Sequence, residues 1–142
     1  MNTLLSQTAE YALRIMIYLT ELKGGFAKSQ DIALATKAPT GYTLKVLQQL
    51  GRAGYVTSQR GRTGGFYISC DPTEVNLLQI VDVIDPLNRI EKCPLGRANH
   101  TSSLCPLHQQ LDKSIAVLQQ NLRSTTLQEV VNKANGKTLC QD

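Results

Sequence analysis

Apolar residues recur at helical spacing in four stretches, and one short stretch alternates as a β-hairpin does. Tyr11, Ala12, Ile15, Met16, Leu19 and Leu22 fall at three- and four-residue steps, predicting a first helix over residues 6–22 that Gly24-Gly25 ends. Ser29 is placed to cap a short helix through Ala35, and Thr36-Lys37-Ala38-Pro39 breaks it, because a residue before proline is driven out of the helical region. Thr40 then reads as the N-cap of a helix over residues 41–53 with a buried stripe of Leu44, Val46, Leu47 and Leu50, and Gly54 as its exit. Residues 55–59 and 65–69 form two short strands around Arg60-Gly61-Arg62-Thr63-Gly64.

The second half continues the pattern. Asn76 and Gln79 make a capping box for a helix that is apolar almost all round and stops before Pro86, with Val75 stapled to Ile80. Residues 85–104 read as a loop. Pro106 suits the first position of a long helix on which Leu107, Leu111, Ile115, Leu118 and Leu122 form a seam like that of a short coiled coil. Thr126 and Glu129 make a second capping box, for a last short helix with Val130 and Val131.

The expected fold is therefore mainly α with a small β-hairpin wing. Residues 1–84 form a winged helix-turn-helix DNA-binding domain and 85–104 a cysteine-containing sensor loop. Residues 105–134 supply a dimerisation helix and a short C-terminal helix, and 135–142 a polar tail. The seam is assigned to a homodimer because the rest of the chain is too small to cover so long an apolar stripe, and a two-fold dimer implies a palindromic double-stranded operator.

Charge sharpens this picture. The net charge is +4, but residues 1–70 hold eight Lys/Arg against three Asp/Glu, whereas 71–142 hold seven against eight. No acid occurs between Ile32 and Cys70, while Lys37, Lys45, Arg52, Arg60 and Arg62 do. A phosphate-binding surface needs that arrangement. The candidate DNA contacts are Tyr42, Thr43, Lys45 and Gln48 on the second helix of the motif, Arg60 and Arg62 on the wing, and Lys28 and Thr40 at the edges. No run is long enough to span a membrane and no leader pattern opens the chain, so the expected location is cytoplasmic.

In that compartment the four cysteines read as ligands or redox groups rather than a disulfide framework. Cys93, His100, Cys105 and His108 lie within sixteen residues. Cys105 opens the long helix and His108 follows one turn on, so both point to one side. Thiolate and imidazole suit zinc or an iron–sulfur cluster, and argue against calcium or magnesium. Cys70 reads as a small strand-end residue and Cys140 as a free tail thiol. An enzyme with Cys105 as nucleophile and His108 as base is the rival from another class. It lacks an orienting third group and an oxyanion motif, so the chain is read as no enzyme.

With Ala9-Glu10-Tyr11-Ala12-Leu13-Arg14, Gly41-Tyr42-Thr43-Leu44-Lys45-Val46-Leu47, Ala53-Gly54-Tyr55-Val56, the wing from Arg60 to Phe66 and the segment Cys93–His108, the chain resembles the IscR/NsrR-type family of winged helix-turn-helix regulators over nearly its whole length. The resemblance implies a dimeric repressor or activator with a [2Fe–2S] cluster near the dimer interface. Well-known members carry three cysteines in the loop. Here Cys93, Cys105 and His108 match, and Asn99-His100 stands near the missing middle cysteine. Some relatives complete a two-cysteine site with histidine or with a first-helix carboxylate from the partner subunit. Glu10 falls at that carboxylate position, and Arg14 where a two-cysteine relative offers histidine. The implied ligands are Cys93 and Cys105, with His108, His100 and Glu10 competing for the remaining places. The alternative keeps the DNA module without a cluster: a Cys93–Cys105 thiol–disulfide switch, or zinc bound with the histidines.

Overall fold

The computed structural model describes residues 4–90 and 105–134. The element order is α1 (Gln7–Glu21), α2 (Ser29–Thr36), α3 (Thr40–Arg52), β1 (Val56–Gln59), β2 (Gly65–Ile68), α4 (Leu77–Ile84), α5 (Pro106–Arg123) and α6 (Leu127–Lys133). This is the mainly helical architecture with a two-stranded wing that the periodicity predicts.

Ser6 caps α1 by accepting from the Ala9 amide at 3.2 Å, and Ala9, Ala12, Ile15, Met16 and Leu19 form its buried stripe. That stripe is the floor of the module. Ile32 of α2, Val46, Leu47 and Leu50 of α3, Val56 of β1, Ile80 of α4 and Leu127 of α6 close over it in one core. The two helices of the helix-turn-helix are thus set by their packing on α1.

Two expected caps sit one residue further back. The N-caps of α2 and α3 are Lys28 and Pro39, neither with a side-chain cap bond, and Ser29 and Thr40 are the first helical residues. Pro39, extended at φ −60° and ψ 138°, already has the geometry a cap residue needs. The turn between the helices depends on Lys37, left-handed at φ 55°, whose amide bonds back to the end of α2.

The face of α3 is also rotated relative to the sequence reading. Leu44, expected in the core, is 42 % exposed, and Thr43, expected on the DNA face, is fully buried. The buried set Thr43, Val46, Leu47 and Leu50 follows steps of three, one and three, the stripe of a helix seated squarely on its neighbours. Thr43 tolerates burial because its hydroxyl donates to the Pro39 carbonyl at 3.0 Å.

β1 and β2 pair antiparallel with Val56 opposite Ile68 and Gln59 opposite Gly65. Phe66 also bridges to Ala27, exchanging backbone bonds of 3.0 and 2.7 Å, which anchors the wing to the loop before α2. Both capping boxes are formed: Asn76 with Gln79, and Thr126 with Glu129. The segment joining α5 to α6 lies against the start of α4, with Leu77 N donating to Thr125 O and Leu127 N to Val75 O, each at 3.0 Å. Helix α6 therefore returns to pack on α1, while no residue of α5 is buried. Among the described residues, no helix is long and apolar enough to cross a membrane.

Candidate DNA interface and sensor site

Helix α3 presents Thr40, Tyr42, Lys45 and Gln48 to solvent, joined by Leu44 and Arg52. Lys28, at the cap of α2, is also exposed. Of the expected contacts on this helix only Thr43 is turned away, for the reason given above. Leu44 escapes a sequence reading because an apolar letter in an amphipathic helix reads as core; its position one helical step beyond the buried stripe is the available signal.

Helix α1 braces this surface. The Tyr11 ring meets Tyr42 with centroids 6.3 Å apart and planes tilted at 55°. The Arg14 guanidinium lies 5.7 Å from the Tyr11 centroid and donates to the Thr36 carbonyl at 3.3 Å. Arg14 thus satisfies a carbonyl at the end of α2 and stacks on the ring behind Tyr42, fixing the turn and the aromatic residue together.

The wing tip carries Arg60 and Arg62, both exposed. It turns through Gly61 at φ +112°, and the Gly64 amide donates to the Gly61 carbonyl at 3.1 Å. Two further glycines are required by space alone. A Cβ at Gly64 would run into the Gln59 carbonyl, and one at Gly65 would come within 2.6 Å of the Ala27 carbonyl oxygen. Between α3 and the wing runs a groove lined by Leu44, Gln48, Arg52, Thr57 and Ser58.

At the start of α5, Cys105 is the N-cap and Pro106 the first helical residue. The Cys105 Sγ lies 2.9 Å from His108 Nδ1, both side chains half-buried. The helical spacing brings this pair together as expected. Cys93 and His100, like most of the proposed sensor loop, and Cys140 lie outside the described residues. Glu10 is half-buried in the first turn of α1, and within one chain it does not join the pair. No cluster of three or more His, Cys, Asp or Glu residues suited to a metal forms among the described residues. Cys70 packs against the core, and burial pushes its thiol up.

One turn beyond His108, Asp112 accepts from Arg89 Nε at 2.7 Å and Nη2 at 2.6 Å, and from the Ile90 amide at 2.9 Å. The Arg89 bonds, supported by the Ile90 amide, hold the Asp112 carboxyl down at about 2 against the opposing effect of burial. Gln119 donates to the Leu87 carbonyl. The segment after α4 is thereby fastened along the same helix that carries Cys105 and His108. Residues 23 apart in sequence make this clamp, and no local spacing announces it.

Residues 5–133 match the Rrf2 family, described as iron-dependent transcriptional regulator. The chain is 30 % identical over 131 residues to the HTH-type transcriptional regulator NsrR of Bacillus licheniformis, covering 89 % of this chain and 91 % of that protein. Its fold is similar to that of T. potens IscR, with TM-score 0.76 and 19 % identity over 99 % of this chain and 95 % of that one. It is also similar to CymR, the global cysteine regulator of B. subtilis, with TM-score 0.73 and 23 % identity over 94 % and 98 % of the two chains. A winged helix whose residues 32–70 hold five basic and no acidic side chains, a long α5 and a match across nearly its whole length place this chain in the Rrf2 family of transcriptional regulators.

Proposed function

We propose that the chain is a homodimeric repressor whose affinity for a palindromic operator is set by a [2Fe–2S] cluster. Residues Thr40, Tyr42, Lys45 and Gln48 of α3 meet the major groove, Arg60 and Arg62 the adjoining backbone, and Lys28 a flanking phosphate. Cys93 and Cys105 hold the cluster, and His108, His100 and Glu10 from the partner subunit compete for the remaining places.

The observation that carries the sensor reading is the 2.9 Å approach of Cys105 Sγ to His108 Nδ1, which presents a soft sulfur and an imidazole nitrogen together at a helix start. That donor pair fits an iron–sulfur centre. A cluster with histidine among its ligands supplies a one-electron couple at raised potential, as in Rieske-type centres. The chain's own part is positioning. Cys105 and His108 ride on α5, the Arg89–Asp112 clamp ties the preceding segment to that helix, and α4 packs between α5 and both the supporting helix α1 and the DNA-reading helix α3. A change at Cys105 is thus transmitted through α5 and α4 to the angle at which α3 meets DNA.

The same thiol–imidazole contact favours a second reading, in which Cys93 and Cys105 form a thiol–disulfide switch or a zinc site. The deciding test is an anaerobic visible absorption spectrum of freshly purified protein, with iron and sulfide assayed on the same sample. Colour with equal iron and sulfide, lost in Cys93→Ala and Cys105→Ala, is the expected result. A colourless protein without iron after anaerobic reconstitution overturns the cluster; zinc in that sample makes the site structural, and no metal leaves the thiol switch.

A further inference from the structure

We propose that Leu44 is a base-reading residue, its side chain recognising a thymine C5-methyl group in the major groove. The proposal rests on the operator-binding reading above and assigns part of its sequence preference.

Leu44 is 42 % exposed, whereas Val46, Leu47 and Leu50 of the same helix are fully buried. It is not a stray apolar residue on a bland surface. Leu44, Gln48 and Arg52 lie four residues apart in a row along the outer face of α3, giving in succession an apolar group, an amide and a guanidinium. The same three side chains line the groove that β1 closes on its other side with Thr57 and Ser58.

The occupant of this groove is set by charge. From Ile32 to Cys70 the chain has five Lys/Arg residues and no carboxylate, which matches a polyanion. Within the major groove of DNA, the apolar feature displayed at a base edge is the thymine methyl; the other features are hydrogen-bond donors and acceptors. Leu44 also stands in the N-terminal half of α3, the part of a recognition helix that approaches base edges. An exposed leucine there has nothing to gain from phosphates. Contact with a methyl group removes apolar surface of both partners from water, and one buried methyl corresponds to about 0.8 kcal/mol, or about fourfold in affinity.

The test uses the full-length protein in its DNA-binding form. Selection from a random duplex library yields an operator, and each thymine of that operator is then replaced singly by deoxyuridine, which pairs identically but lacks the methyl. The wild type is expected to lose about fourfold in affinity per half-site at one thymine. Leu44→Ala should bind more weakly and be indifferent to that one replacement while keeping its preferences elsewhere. Leu44→Gln preserves helix-forming character, and it should also lose the methyl sensitivity and move the preference at that position toward adenine. A wild type indifferent at every thymine, or variants that keep the wild-type loss, overturns the assignment of Leu44 and leaves operator binding standing. A selection that enriches no sequence overturns the operator-binding reading itself, and this proposal with it.

Discussion

Helices α1 and α5 are both amphipathic and of similar length, 15 and 18 residues, yet they are treated oppositely by the fold. Helix α1 buries six residues against α2, α3, α4 and α6. Helix α5 buries none, and leaves Leu107 65 %, Leu111 47 % and Val117 60 % exposed. It is nevertheless well attached, by the Arg89–Asp112 clamp and the Gln119–Leu87 bond near its middle and by the return of α6 to α1 beyond its end. An amphipathic pattern states that a helix has a partner but not where the partner is. For α1 it lies in the same chain. For α5, fixed by these bonds, Leu107 and Leu111 of the leucine seam are exposed while Ile115, Leu118 and Leu122 are half-buried; in the proposed homodimer the partner is a second copy.

The largest expected effects separate these two cases. Leu47→Ala, in the core over α1, should cost about 2–5 kcal/mol, read as a fall in Tm that is the same at every protein concentration. In a lone chain Leu111→Ala, at a half-exposed site, should cost less than about 1 kcal/mol. In a dimer it should instead lower the association constant, give a Tm that depends on concentration, and shift sedimentation toward the monomer. If Leu111→Ala leaves both Tm and sedimentation unchanged across a hundredfold concentration range, α5 has no second copy as its partner and the contrast with α1 needs another cause.

Smaller effects test the outward face that α1 supports. Arg62→Ala should weaken operator binding on all sequences and make the dependence of log affinity on log salt shallower by about 1 for each phosphate it no longer neutralises. An unchanged salt slope removes the wing from the interface. Thr43→Val should touch stability and leave binding alone. It deletes a hydroxyl that donates to Pro39 inside the helix, so stability should move by no more than about 1 kcal/mol and operator affinity should stay put. A selective loss of DNA binding in a stable Thr43→Val protein would return Thr43 to the base-contacting set.

Thr43 also shows why part of this molecule is hidden in the sequence. Thr20, Thr36 and Thr43 are all buried, and each hydroxyl donates to the carbonyl four residues back: Met16, Ile32 and Pro39. A threonine so satisfied behaves as an apolar residue, and the alphabet does not say which threonines do this. Reading Thr43 as polar and Leu44 as core rotates the expected DNA face by one position. What does show through is local. The Asn76–Gln79 and Thr126–Glu129 boxes, proline at the start of α5 and the Cys105–His108 pair are all relations across three residues or fewer, fixed by helical geometry. The Ala27–Phe66 and Asn76–Thr126 bridges and the Arg89–Asp112 clamp are long-range pairings, and nothing in either partner's neighbourhood specifies the other. The proposed sensor set divides in the same way: Cys105 and His108 are placed by one helix turn, whereas Cys93 and His100 fall in a stretch of sequence with no periodicity.

The finest test concerns how α5 is held to its own chain. Asp112 ionises at about 2 in the folded protein against 3.8 ordinarily, mainly because Arg89 hydrogen-bonds its charged form. A carboxyl whose folded value is depressed adds stability above its ordinary value, and that contribution disappears as pH falls through the folded one. The clamp should therefore be intact above about pH 5 and released between about pH 4 and 2. The loss is local, since the pair sits at the surface, so global Tm is the wrong observable. The Ile90 amide, which donates to the same carboxylate, reports it directly. Its proton chemical shift should follow a single titration centred near the Asp112 value, and Asp112→Asn should abolish that titration at every pH. An Ile90 amide that titrates instead near 4, or titrates unchanged in Asp112→Asn, would mean that the clamp does not hold α5 in solution, and that α5 keeps its place through the Gln119–Leu87 bond, its packing on α4 and the return of α6.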